Sequence, residues 1–311
     1  MDYQKCARLL KQKDDILLVT HKNPDGDCMG SAAALCCALR RAGKTAYLYP
    51  NTQVIRKLRP FVEQYFAPEG FVPAFVVAVD VATEHMFALG FEGEVDLCID
   101  HHPTNSRYAK DTLVRAEKSS CGEVVMRVIK NICGDISKTE ANLLYIAITT
   151  DCGCFQYANT NAATLTAAAE LIRCGAENHE ISEIFFRKIS RGRMKLEGMI
   201  YDGMEFYRDG KLCIVVITQE MMATSGATDD DCDDLAGISG RSETGEMSVT
   251  IRETKDGKSK VSVRSNPGIS SKNVCLVFGG GGHELAAGCT IDSAPHKAKE
   301  MLLAVIDEVW K

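Results

Sequence analysis

The sequence predicts an α/β chain of two domains: a larger N-terminal domain on a mainly parallel sheet, and a smaller C-terminal α/β domain with a mixed sheet. Three observations carry that prediction. Up to about residue 186, short apolar runs (Ile16–Val19, Phe75–Val79, 95–99) alternate with stretches of helical spacing, the pattern of strands joined by crossover helices. Each of these runs opens into a loop that begins with, or soon reaches, Asp or His. From Met204 onward the texture changes to paired apolar segments around a glycine, which is how antiparallel hairpins read. With 311 residues the chain can bury two full cores. Domains are expected over 1–186 and 197–311, joined by a linker at 187–196, where Arg187-Lys188-Ile189-Ser190-Arg191-Gly192-Arg193 interrupts the pattern. A continuous helix joining the domains is the other reading of that stretch.

Taken in order, residues 3–13 have helical spacing and Ile16–Val19 reads as a buried parallel strand. The following loop, Thr20-His21-Lys22-Asn23-Pro24-Asp25-Gly26-Asp27, carries one imidazole and two carboxylates ahead of a helix expected at 30–43. A second strand is expected at 44–49, a short amphipathic helix at 59–66, and a strand at Phe75–Val79 that ends in Asp80. Residues 84–89 fill the gap before a strand that ends in Asp100-His101-His102. Ser119-Ser120-Cys121-Gly122-Glu123 has the form of a capping box ahead of Val124, Val125, Val128, Ile129 and Ile132, a helix that reads as scaffold. Further helices are expected at 138–148, 161–174 and 178–188, while Ala147-Ile148-Thr149-Thr150-Asp151 also reads, more weakly, as a strand-like run ending in Asp.

In the second domain, Gly210 separates 204–208 from 212–218, and Asp256-Gly257 separates 247–254 from 260–264. Residues 228–234 hold five Asp without the spacing or terminal Glu of an EF-hand loop, so a solvated helix start is expected there. Gly279-Gly280-Gly281-Gly282-His283 precedes Glu284-Leu285-Ala286-Ala287, which places flexible backbone and an imidazole at a helix entrance, where amides can approach an anion. A plain flexible loop is the alternative; the company of Arg264 and His283 favours phosphate.

Bulk properties exclude several classes. A net charge of −6 disfavours a grip on long nucleic acid, which depends on dense Lys and Arg. No apolar run approaches the length that spans a bilayer, and no signal-peptide core follows Met1, so the cytoplasm is expected and a membrane is not. The 14 cysteines then read as reduced thiols, and none form the Cys-x2-Cys pair of a structural zinc site, although Cys28 and Cys152 adjoin the Asp and His residues named above. Neither a dinucleotide-binding fingerprint nor a P-loop is present.

An Asp at a strand end is usually a cap or turn former, so Asp25 and Asp27 alone admit that reading. Four chain-distant segments delivering Asp or His are better explained as a site, because an open α/β sheet gathers its ligands at the carboxyl ends of its strands. His21-x3-Asp25-x-Asp27, Asp80, Asp100-His101-His102 and Asp151 resemble the four motifs of the DHH phosphoesterase superfamily. Val263-Arg264-Ser265-Asn266 with Phe278-Gly279-Gly280-Gly281-Gly282-His283 and the residues to Gly288 is similar to the signature of its associated DHHA1 domain. Within the superfamily the likeness is to the bacterial nanoRNase group, also described as oligoribonuclease and phosphoadenosine phosphate phosphatase.

The resemblance implies two divalent cations, Mn²⁺ ahead of Mg²⁺, one on His21, Asp25 and Asp80 and the other on Asp27, Asp80, His101 and Asp151. Asp and His ligands suit those metals. It implies His102 as the substrate-side histidine, with Asp100 orienting the histidine pair. Arg264, Ser265, His283 and the amides of Gly280, Gly281 and Gly282 are expected to hold a distant substrate phosphate, with the active site in the interdomain cleft. The implied substrates are short single-stranded oligoribonucleotides, or nucleotides such as 3′-phosphoadenosine 5′-phosphate. An inorganic pyrophosphatase, a cyclic-dinucleotide phosphodiesterase and a non-catalytic nucleotide-binding module on the same fold are the alternatives, and a homodimer is left open.

Overall fold

The computed structural model describes residues 1–232 and 235–310, which pack as two units, Met1–Lys188 and Ile189–Lys311. In the first unit, Asp2 caps α1 (Tyr3–Gln12), which leads into the wholly buried β1 (Ile16–Val19). Then follow α2 (Gly26–Arg41), β2 (Ala46–Leu48), a short α3 (Arg59–Val62) and β3 (Phe75–Val79). After β4 (Leu97–Asp100) comes β5 (Asp111–Val114), a strand that the sequence reading missed because only Leu113 in it is buried. The unit closes with α4 (Cys121–Cys133), α5 (Lys138–Asp151), α6 (Ala162–Arg173) and α7 (Asn178–Ser182).

All five strands are parallel, in the order β2-β1-β3-β4-β5. The chain therefore reverses direction across the sheet between β1 and β3, and a crevice for ligands opens beyond their carboxyl ends. One face of the sheet packs Leu18, Val77 and Ile99 against the apolar sides of α1, α2, α4 and α5. The other face, Ala78 and Cys98, is covered by loops whose rings meet edge to face, Phe87 on Phe91 at 5.2 Å and on Tyr108 at 5.3 Å.

Two expected boundaries move. Helix α2 starts at Gly26, not near residue 30, because Asp25 accepts the Cys28 amide at 2.9 Å and caps it; Asp27 thus lies in the first helical turn instead of on a loop. Asp151 is not at a strand end: Ser137 and Glu140 form a reciprocal cap on α5, which runs unbroken to Asp151. The carboxyl end of α5 meets the amino ends of α2 and α4 through glycines. A Cβ on Gly30 would stand 2.5 Å from the Leu143 carbonyl, and one on Gly122 would stand 2.8 Å from the Ala147 methyl.

In the second unit α8 (Arg191–Asp202) starts after Ser190, so most of the stretch expected as a linker is helical. The hairpin of β6 (Glu205–Tyr207) and β7 (Leu212–Ile217) is followed by α9 (Gln219–Ser225), β8 (Met247–Glu253) and β9 (Ser259–Ser265). Next come α10 (Ser271–Leu276), β10 (Gly281–His283), β11 (Ala286–Ile291) and α11 (Pro295–Val309). The order is β10-β11-β9-β8-β7-β6, antiparallel except for β7 beside β8. Val249, Ile251, Val261 and Val263 pack against Ala298, Leu302 and Ile306 of α11.

The glycine run is not a helix entrance. Gly281 and Gly282 belong to an edge strand that turns at Glu284-Leu285 and pairs with β11, and a Cβ on Gly282 would stand 2.5 Å from the Ala286 carbonyl. Gly282 is there because the hairpin closes too tightly for a side chain, whereas a Cβ on Gly281 would meet nothing within 4 Å. Of the acidic stretch, Asp229 pairs with Arg252 at 3.0 Å and Lys255 at 2.8 Å in a short 3-10 turn, while Asp233 and Asp234 lie outside the described residues. Among the described residues, no helix is long and apolar enough to cross a membrane.

The glycine contacts make a prediction about stability. Gly30→Ala should lower the unfolding free energy by about 1–3 kcal/mol, an overpacking cost. Gly198→Ala, on α8 with nothing within 4 Å of the new Cβ, should raise it by up to about 1 kcal/mol through helix propensity. Urea unfolding of both variants checks the pair, and a neutral Gly30→Ala would contradict the packing described.

Candidate metal centre

His21 follows β1, and its ring is set by the Lys22 carbonyl, 2.9 Å from Nδ1. A carbonyl only accepts, so Nδ1 carries the proton and Nε2 turns a lone pair inward, 3.8 Å from Asp25 and 3.9 Å from Asp80. Asp27 is buried at the start of α2, where it accepts the Cys121 amide at 2.7 Å, the Gly122 amide at 2.9 Å and the Ser31 hydroxyl at 3.1 Å. The first two donors are the amino terminus of α4, whose dipole favours a carboxylate there.

Asp80 stands just past β3 with φ of 60°, a left-handed conformation rare outside glycine, while its amide still bonds the Ile99 carbonyl at 2.9 Å. That turn holds its carboxylate over the sheet edge. His101, after β4, gives Nδ1–H to the Lys118 carbonyl at 3.2 Å. Its Nε2 faces Asp80 at 3.5 Å and Asp27 and Asp151 at 3.7 Å each. The fully buried Asp100 accepts both histidine amides, at 2.6 and 3.1 Å, the His102 Nδ1–H at 2.8 Å and the Asn105 side-chain amide at 2.6 Å. It fixes both histidines, and His102 is left half-exposed with Nε2 free to meet a ligand.

Burial, and next the neighbouring Asp25 and Asp27 carboxylates, drive Asp80 well above the usual carboxylate range; burial with Asp151 and Asp25 does the same for Asp27. Asp151 is pushed up to about 7, by burial first and then by Asp25. Burial and the charge of His102 lower His101, which keeps it neutral and ready to ligate. The hydrogen bond to Asp100 raises His102.

A cation fits this arrangement. Asp80 Oδ1 is buried without a hydrogen-bond partner, an expensive state for a carboxylate oxygen. The His–carboxylate separations of 3.5 to 3.9 Å are too long for hydrogen bonds and near the roughly 3 Å spacing of ligands around one ion. Oxygen-rich donors with imidazole suit Mn²⁺ or Mg²⁺. The Cys28 thiol lies in the same cluster but is engaged with backbone, receiving the His21 amide at 3.5 Å and donating to the Val79 carbonyl at 3.4 Å.

In the second unit, Arg264 on β9 is in register with Ala286 on β11, which is in register with His283 on β10. Cross-strand neighbours share a face, so both exposed side chains stand on one side of the sheet with only a methyl between them. Ser265 is otherwise occupied: it donates to the Ile269 carbonyl at 2.6 Å and receives the Ser271 hydroxyl at 2.8 Å. Gly281 is exposed, whereas a Cβ on Gly280 would meet Gly288 and Cys289.

Sequence reasoning named each carboxylate and imidazole described here but missed the groups that hold them. The Ser119–Glu123 capping pattern was the available sign that helix α4 begins in this crevice. Nothing local marks Ser31, Asn105 or the Lys118 carbonyl.

Residues 15–148 match the model of the DHH family, N-terminal domain, and residues 209–311 that of the DHHA1 domain. The chain is 33% identical over 308 residues to the bifunctional oligoribonuclease and PAP phosphatase NrnA of Thermus thermophilus, an alignment covering 97% of this chain and 92% of that protein. It is 26% identical to the protein of the same name from Bacillus subtilis, over 93% of each chain. An exopolyphosphatase-related protein from Bacteroides fragilis shares the fold with a TM-score of 0.88 at 22% identity, covering 98% of this chain and 96% of that one.

The raised carboxylates tie stability to pH and metal. Between the ordinary carboxylate value and the value of about 7 for Asp151, the folded metal-free protein holds protons that the unfolded chain has released, so its stability falls as pH rises through that window. Metal-stripped protein should therefore melt lower at about pH 8 than at about pH 5.5, and saturating Mn²⁺ should reverse the order, because metal competes with those protons. Thermal melts with and without the ion check this; equal melting of the stripped protein at both pH values would sink it.

Proposed function

The chain belongs to the DHH family, an N-terminal DHH domain followed by a DHHA1 domain, and from that premise we propose that it is a metal-dependent phosphoesterase. Its substrates are short oligoribonucleotides, cut to mononucleotides, and 3′-phosphoadenosine 5′-phosphate, cut to AMP. The observation that carries this reading is the meeting of His21, Asp25, Asp27, Asp80, His101 and Asp151 at histidine–carboxylate separations of 3.5 to 3.9 Å, with Asp80 Oδ1 buried among them without a hydrogen-bond partner. Relatives aligned over nearly the whole chain bear the oligoribonuclease and phosphatase name, so the pyrophosphatase and cyclic-dinucleotide alternatives are not favoured. All 14 cysteines are free thiols, which supports a cytoplasmic setting.

His21, Asp25 and Asp80 would hold one divalent cation and Asp27, Asp80, His101 and Asp151 a second, Mn²⁺ before Mg²⁺. Such a pair supplies Lewis acidity, a water acidified near neutral pH and charge neutralisation at the phosphate. Asp100 keeps the proton of His102 on Nδ1, and its charge favours imidazolium. His102 can then donate from Nε2 to a phosphate oxygen or to the leaving oxygen. Arg264 offers a planar fork to a second substrate phosphate, with His283 beside it on the same sheet face.

The deciding experiment is turnover of a single-stranded RNA series and of the bisphosphate nucleotide with Mn²⁺, using Asp80→Ala as the control. We expect kcat/KM to be highest for roughly two to five nucleotides, since an acidic chain gains little from longer backbone. Asp80→Ala should lose bound metal and at least about a thousandfold in rate while staying folded. Rates flat to about twenty nucleotides would favour a processive exonuclease, and full activity of a metal-free variant would end the reading.

Arg264→Ala should raise KM for nucleotide substrates about ten- to a hundredfold, the loss of a charge-assisted bond, with metal content unchanged. Steady-state kinetics with elemental analysis checks it. A fall in bound metal would refute a substrate role for Arg264.

A further inference from the structure

Immediately after Asp151 the chain holds three successive left-handed residues, Gly153 (φ 55°), Cys154 (φ 54°) and Phe155 (φ 68°). Two are not glycine, and such backbone persists only where its surroundings over-determine it, most often at a functional site. Here they do. The Cys154 amide bonds the Thr149 carbonyl at 2.7 Å, the Phe155 amide bonds the Cys152 thiol at 3.3 Å, and the Phe155 ring packs on Tyr145 with centroids 6.3 Å apart. The Asn159 side chain closes the loop by donating to the Asp151 carbonyl at 3.2 Å and the Ser119 carbonyl at 3.1 Å.

What this braced turn displays is Tyr157, at 62% exposure the most exposed tyrosine or phenylalanine among the described residues. The ring lies on Gly153, where any Cβ would collide with it, and the Tyr157 amide bonds the Cys152 carbonyl at 3.1 Å. An exposed tyrosine on a surface is ordinary. One held by strained backbone that starts two residues from an Asp of the candidate metal centre is not explained by packing, because the ring buries little.

We propose that Tyr157 is the stacking platform for a nucleobase of the substrate whose phosphate lies at the metal centre. The inference rests on the phosphoesterase reading above and adds the contact that favours nucleotides over other phosphate esters. Stacking tolerates any base, since each has a π-face, and fits an enzyme that clears short RNA of mixed sequence.

The test compares Tyr157→Ala, Tyr157→Phe and the parent protein on 5′-phosphorylated diadenylate and on its two analogues lacking one base. Metal content and melting temperature confirm that each variant is intact. Tyr157→Ala should raise KM for the diadenylate about tenfold at nearly constant kcat, Tyr157→Phe should behave as the parent, and one abasic analogue should be indifferent to the ring. A KM unmoved in Tyr157→Ala, an equal rise on all three substrates, or Tyr157→Phe behaving as Tyr157→Ala would each overturn the proposal. A parent protein that cleaves neither diadenylate nor the bisphosphate nucleotide would instead bring down the phosphoesterase reading, and the proposal with it.

Discussion

The first unit is built around an electrostatic burden. Asp27 and Asp80 are buried beside Asp25 and Asp151, and His101 is held in their midst. Two unit charges about 4 Å apart repel by roughly 4 kcal/mol at an effective dielectric near 20, so the ionised cluster cannot stand without compensation. The amino end of α4 compensates Asp27 through two amides, and protons held at raised pKa compensate Asp80 and Asp151 in part. A bound cation would complete the balance, which is why the same residues that weaken the metal-free fold suit it to metal chemistry.

That burden explains the architecture beneath it. Candidate ligands from β1, β3 and β4 arrive at one sheet edge by topology alone, but Asp27 and Asp151 arrive from helices, and helices approach closely only where side chains are absent. Gly26, Gly30 and Gly122 permit that approach. The left-handed turn at Asp80 is the other concession to the site, since it bends the chain end over the crevice while keeping its ladder bond.

The histidine pair shows how neighbours of one type acquire different chemistry. His101 is turned by a backbone carbonyl so that its free nitrogen meets carboxylates, and burial keeps it neutral. His102 is bonded to Asp100, tends to stay protonated and stands half-exposed. The difference between the two lies in what each Nδ1 touches and in how deeply each ring is buried.

The residues alone determined the two-part α/β class, the parallel sheet and the identities of the carboxylates and imidazoles, because apolar period and residue chemistry are local properties. The same locality misled where a competing contact decided the outcome. Asp25 pulled the start of α2 back to Gly26, α5 ran on to Asp151 where an apolar run ending in Asp had looked strand-like, and the glycines at 279–282 closed a hairpin instead of opening a helix. Only the tertiary structure brought the α4 amides to Asp27, the Lys118 carbonyl to His101 and Asn105 to Asp100. Those partners lie from 5 to 95 residues apart in the chain, and backbone amides and carbonyls carry no residue-specific signature, so the groups that orient the site could be read only once the chain had folded.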